Sequence, residues 1–129
     1  MNKSSKNVFG QRLKSCSMNP MTGFFRNGCC DSGPDDYGKH TLCAVMTSDF
    51  LMFSRSRGND LVTPIPQYHF PGLHPGDRWC ICVLRWKEAH EAGYAPPVVL
   101  EATNENALEY VEMNVLLGYA YKEMKKDSE

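Results

Sequence analysis

Residues 76–93 read Gly-Asp-Arg-Trp-Cys-Ile-Cys-Val-Leu-Arg-Trp-Lys-Glu-Ala-His-Glu-Ala-Gly, and two periodicities follow one another within them. From Arg78 to Leu84 the residues alternate, with Trp79, Ile81 and Val83 on one side and Cys80, Cys82 and Leu84 on the other, which predicts a strand that needs cover on both faces. From Arg85 to Ala92 the spacing of Trp86 and Ala89 is helical, and Gly93 stands in the stop position. The preceding His74-Pro75-Gly76-Asp77 suits a type II turn, because proline presets the first central residue and glycine supplies positive φ at the next.

Working outward, His40 to Met46 predicts another doubly covered strand, and Thr47 or Ser48 caps a helix that turns Phe50, Leu51 and Phe53 inward and ends before Gly58. On the C-terminal side, Pro96 and Pro97 precede a third strand, Val98 to Ala102; Thr103 then caps a helix through Tyr110, which Val115 to Lys125 continue or restart. Gly10 to Gly38 is dense in turn residues, and Asn59 to Asp77 carries four prolines, so both read as long loops. The expectation is an α+β fold: a small two-layer sandwich with a short mixed sheet, helices mostly on one face and long irregular loops. Its 129 residues read as a single domain with an ordered core from about 8 to 124.

A formal charge of −1 with no basic block argues against nucleic acid as a partner. No apolar run has the length of a signal peptide or membrane span, so a soluble cytoplasmic protein is expected, with its six cysteines mostly reduced. No GxGxxG, Walker A, HExxH or GxSxG pattern occurs, which leaves open whether the protein is an enzyme.

The chemistry that remains is that of sulfur. Cys29 and Cys30 follow Gly28 in a turn-rich segment near Arg26, where a neighbouring cation favours the thiolate, and His40 is the candidate base. Arg26, Asp31, Asp77 and Arg78 are the candidate ligand-binding residues; equally, they serve to satisfy the backbone of irregular segments. Cys29, Cys30, Cys80 and Cys82 are candidate ligands for a soft metal such as zinc, although no cysteine pair has the usual zinc spacing and Cys43, Cys80 and Cys82 also suit simple burial. Tyr68 to His74, in the proline-rich loop, offers a surface for a protein partner, and Trp79 and Trp86 serve as pocket walls or core anchors. The leading expectation is a cysteine- and arginine-lined pocket for a small or anionic ligand, thiol-dependent if catalytic; the alternatives are a noncatalytic interaction module and soft-metal binding.

Five segments taken together carry a resemblance. Thr22-Gly23-Phe24-Phe25-Arg26-Asn27-Gly28-Cys29-Cys30, Gly58-Asn59-Asp60-Leu61, Phe70-Pro71-Gly72-Leu73, Gly76-Asp77-Arg78-Trp79-Cys80 and Ala92-Gly93-Tyr94-Ala95-Pro96-Pro97-Val98-Val99-Leu100 resemble the mostly bacterial domain-of-unknown-function family 2237, from about Val8 to about Ala120. The resemblance implies one compact α+β domain and no assigned activity. One departure stands out: where that family tends to read Ala-Thr-His-Glu, this chain has Ala102-Thr103-Asn104-Glu105. A function relying on that histidine would be missing here, while Asn104 can still support a helix start.

Overall fold

A computed structural model describes residues 5–122. All but the first residue of the C-terminal charge run Lys122 to Glu129 lies outside them. The fold is α+β with long irregular connections: strand β1 (Leu42–Val45), helix α1 (Ser48–Ser56), strand β2 (Arg78–Ile81), helix α2 (Val83–Ala92) and helix α3 (Met113–Leu117), with short 3₁₀ turns between them. β1 and β2 pair antiparallel, setting Cys43 opposite Cys80 and Ala44 opposite Trp79. Both strands are almost wholly buried, as their apolar character on both faces requires.

The expected third strand is reduced to single bridges. Val98 touches Ala44 in the antiparallel sense and Ala120 in the parallel sense, so the mixed character survives only there and the sheet itself has two strands. Pro96 and Pro97 have no N–H to extend a ladder upstream. Downstream, Ala102 N–H and the Thr103 hydroxyl both donate to Val99 O, which curls the chain into a 3₁₀ turn over Leu100–Ala102.

Around residue 82 the structure again departs from the alternating pattern. The strand stops at Ile81; Val83 N–H donates to Lys39 O at 3.1 Å and Trp86 N–H to Cys82 O at 3.1 Å. Helix α2 therefore begins two residues before the predicted start, because Val83, Trp86 and Ala89 already form the buried helical stripe while Leu84 faces out. Cys82 becomes its N-cap residue, and Gly93 ends it with φ 89°. The Thr47 hydroxyl caps α1 by accepting from Phe50 N–H, as its position predicts.

After the third segment, Asn104 rather than Thr103 is the cap: its Oδ1 accepts from Asn106 N–H at 2.9 Å and opens a 3₁₀ turn over Glu105–Glu109. Thr103 is turned inward, where its hydroxyl oxygen accepts from Cys43 N–H. The predicted helix from Val115 is the five-residue α3, starting at Met113.

Between Gly10 and Gly38 the chain forms neither helix nor strand, and sulfur holds it in place. Cys16 is bonded to Cys43 and Cys30 to Cys80, which overturns the expectation of reduced thiols. With partners 27 and 50 positions apart in the sequence, each cross-link stabilises by about 4 kcal/mol in the chain-entropy account. The main apolar core, with Trp86, Phe50, Leu42, Met46, Leu73 and Leu116 buried, lies beside a smaller cluster of Cys16, Cys30, Cys43, Val45, Cys80, Val99 and Ala102. Asn104 Nδ2 also donates to Cys30 O at 3.1 Å, tying the cap to that cluster.

Replacing Asn104 by Ala removes both bonds, so Asn104→Ala should lower the unfolding free energy by about 1–3 kcal/mol in a denaturant titration. A loss under about 0.5 kcal/mol would show both contacts to be dispensable.

Candidate functional site

Cys82 leaves β2 at the point where α2 begins, and its half-buried sulfur stands 3.3 Å from His40 Nε2. His40 Nδ1 in turn lies 2.6 Å from Asp36 Oδ1. Asp36 is fully buried, and its other oxygen accepts from His40 N–H at 2.9 Å and from the Ser32 hydroxyl at 3.1 Å. The carboxylate thus fixes the imidazole through backbone and ring together, and the ring aims its far nitrogen at sulfur. The hydrogen bond to Cys82, and beyond it the charge of Cys82 and the contacts with Asp36, outweigh burial and push the His40 pKa up to about 9. His40 is therefore an imidazolium at neutral pH, with Nδ1–H donating to Asp36 and Nε2–H to Cys82. At the second and third positions of α2, the N–H groups of Leu84 and Arg85 have no intrahelical acceptor, so the helix start presents donors and its positive end beside the sulfur. A nucleophile, a proton carrier and an orienting carboxylate in this order make a Cys–His–Asp arrangement.

Two hollows flank it. Cys82 opens into a shallow one of about 550 Å³, bordered by Tyr37, Gly38, Leu84, Arg85 and Glu88. His40 also borders a groove of about 660 Å³, walled by Phe24, Leu61, Ile65, Tyr68, Phe70 and Trp79, with Arg26, Asn59 and Asp60 as polar members. The His40 ring lies nearly parallel to Phe24 at 6.1 Å. Arg26 sits over Trp79 at 5.2 Å; its Nη1 donates to Gly23 O and its Nη2 makes a long 3.4 Å contact to Tyr68 O. Arg26 Nε is buried and unpaired, an orphan donor at the groove.

The residues singled out in the sequence are only partly brought together. Arg26, His40 and Cys80 line the groove. Cys30 and Cys80 are bonded to each other, so neither offers the free thiol that a nucleophile or metal ligand needs in this state. Cys29 keeps its thiol, but burial and the charge of Asp31 raise its pKa, which disfavours the thiolate. Asp31 accepts from Asn27 and Ser5; Asp77 closes the His74 turn by accepting from His74 N–H; Arg78 stacks on Tyr121. Trp79 is core anchor and groove wall together, whereas Trp86 lies wholly in the core with its indole N–H donating to Pro96 O.

The sequence alone pairs His40 with Cys29 and Cys30 and gives Asp36 no role. The available signal was the step from a strand pattern to a helix pattern at Cys82, since a thiol at a helix start is a known reactive setting; extending the strand to Leu84 concealed it.

The sulfur atoms of Cys16, Cys30 and Cys80 lie within 4.8 Å of one another, close enough to share a metal ion once free of their cross-links. No helix among the described residues is long and apolar enough to cross a membrane. A family model described as "Uncharacterized protein conserved in bacteria", domain of unknown function 2237, matches residues 6–120. No curated protein matches the chain.

Because the folded pKa of His40 lies above its ordinary 6.5, its pairing contributes full stability below that value and loses it as pH climbs through about 9. The melting temperature of the wild type should therefore exceed that of His40→Gln most at about pH 6, with the gap closing by about pH 10. A gap that is constant across that range would contradict the assignment.

Proposed function

This chain belongs to that uncharacterised bacterial family, and we propose that it is a thiol-dependent catalyst of acyl transfer with Cys82 as nucleophile. The observation that carries the reading is the chain of contacts from Cys82 Sγ to His40 Nε2 and from His40 Nδ1 to buried Asp36. In this mechanism the Cys82 sulfur attacks a carbonyl carbon and the carbonyl oxygen becomes an oxyanion facing the N–H groups at the start of α2. As that intermediate collapses, the bond to the leaving group breaks, His40 gives its Nε2 proton to that group, and a thioester remains on Cys82. Neutral His40 then takes a proton from water, whose oxygen attacks the thioester; the carbon–sulfur bond breaks, the acid departs, and the Cys82 sulfur is left again beside the His40 imidazolium. Asp36 accepts from Nδ1–H throughout and holds the ring in one orientation.

The groove beside His40 supplies the recognition side of this reading. Its walls suit an apolar or aromatic body, and the guanidinium of Arg26, with an unpaired buried Nε, suits a small anionic group on the same molecule. A second reading is supported by the proximity of three cysteine sulfurs: soft-metal binding, zinc being one such metal, in a state where the disulfides are reduced.

Iodoacetamide labelling followed by peptide mapping tests the nucleophile. At neutral pH, Cys82 should be alkylated at least about tenfold faster than Cys29, and His40→Gln should remove that advantage. Turnover of small activated thioesters should fall by about 10²-fold or more in Cys82→Ser. Equal labelling of both cysteines, unaffected by His40→Gln, would refute the reading.

A further inference from the structure

The two disulfides lie side by side. Cys43 and Cys80 face each other across the β1–β2 pair, and each is bonded to a cysteine of the N-terminal segment, Cys16 or Cys30. Those two segments are themselves tied together, since Cys16 N–H donates to Gly28 O at 2.7 Å. All four residues are buried, at 3% exposure or less, in one cluster whose other members are Val45, Val99 and Ala102. Among the described residues, the potential metal ligands grouped there are the three cysteines Cys16, Cys30 and Cys80, so sulfur is the ligand chemistry the group offers.

We infer that Cys16, Cys30, Cys43 and Cys80 form a redox-gated tetrathiolate site: a pair of disulfides when oxidised, and a site for one soft divalent metal ion when reduced. The inference deepens the metal reading of the cluster, on which it rests, by naming Cys43 as the fourth ligand and the redox state as the gate. A tetrahedron with metal–sulfur bonds of about 2.3 Å needs sulfur atoms about 3.8 Å apart. The sulfurs of Cys16, Cys30 and Cys80 already lie within 4.8 Å of one another, and Cys43 is bonded to one of them. Filling the site then requires the Cys43 sulfur, which lies outside that group of three, to close on the other sulfurs once its bond to Cys16 is reduced. In the balanced exchange, four molecules of a low-molecular-weight thiol reduce the two disulfides, leaving four protein thiols and two small-molecule disulfides; the bound metal then displaces four thiol protons to solvent. Cys29 and Cys82 lie outside both cross-links and are not ligands.

The test uses the full chain, reduced with a phosphine under nitrogen and titrated with Co(II). One cobalt per chain is expected, with tetrahedral ligand-field and thiolate charge-transfer absorption, four sulfur neighbours by X-ray absorption, and no uptake by the disulfide form. The double variant with Cys29→Ser and Cys82→Ser should behave identically. Three sulfurs with one nitrogen or oxygen, or loss of binding in the double variant, would overturn the four-cysteine site while leaving cysteine metal binding in place. Failure of the reduced chain to take up cobalt, whether folded or unfolded, would overturn both.

Discussion

The Cys30–Cys80 cross-link is the constraint on which the arrangement around His40 depends. It fixes the start of an irregular stretch to the end of β2, while the far end of that stretch runs directly into β1 and meets the second cross-link at Cys43. Asp36 and His40 sit in the stretch so anchored, and Cys82 lies two residues past Cys80. Without a hydrogen-bonded ladder, such a loop would sample many conformations at an entropic cost of about 1–2 kcal/mol per residue to order. Covalent anchoring at both ends removes much of that freedom from the unfolded chain and leaves His40 within reach of one sulfur.

Electrostatics completes what the anchors begin. A carboxylate buried as deeply as that of Asp36 is tolerated only when it is paired and hydrogen-bonded, and His40 provides both a backbone N–H and a ring cation. The same pairing leaves the other ring nitrogen no choice of direction, so the demand of burying Asp36 is met by a geometry that also aims a proton at Cys82. Stability and chemistry are coupled here through one side chain. Reduction of the nearby disulfides would loosen the anchors of that loop, which links the redox state of the sulfur cluster to the order of the Cys82 site.

Much of the fold could be read along the chain because its signals are local: the cap at Thr47, the proline-rich loop and the glycine stop at Gly93 act through their immediate neighbours. Val98 to Ala102 has strand composition, yet its pairing is decided by two prolines before it and by Thr103 bonding back onto Val99 after it, so composition alone points to a strand that does not form. The site was legible only in its parts. His40 and Cys82 each stand out by residue type, but their partnership spans 42 positions, and no spacing rule reports a contact formed by loop closure. Asp36 sat unnoticed in a turn-rich segment where aspartate is ordinary. The disulfides are illegible for a related reason: the lack of a long apolar run suggests reduced thiols, whereas the pairing is set by the β1–β2 register and by how the N-terminal segment packs on it.

The account turns on a protonated His40 held between carboxylate and sulfur. Nitrogen-15 NMR of the imidazole ring across pH measures this directly, with Cys82→Ser as the reference. The account predicts that both ring nitrogens carry protons until about pH 9 in the wild type, and that this upward shift shrinks markedly once the sulfur is removed. A ring that deprotonates near 6.5 in both proteins would contradict it.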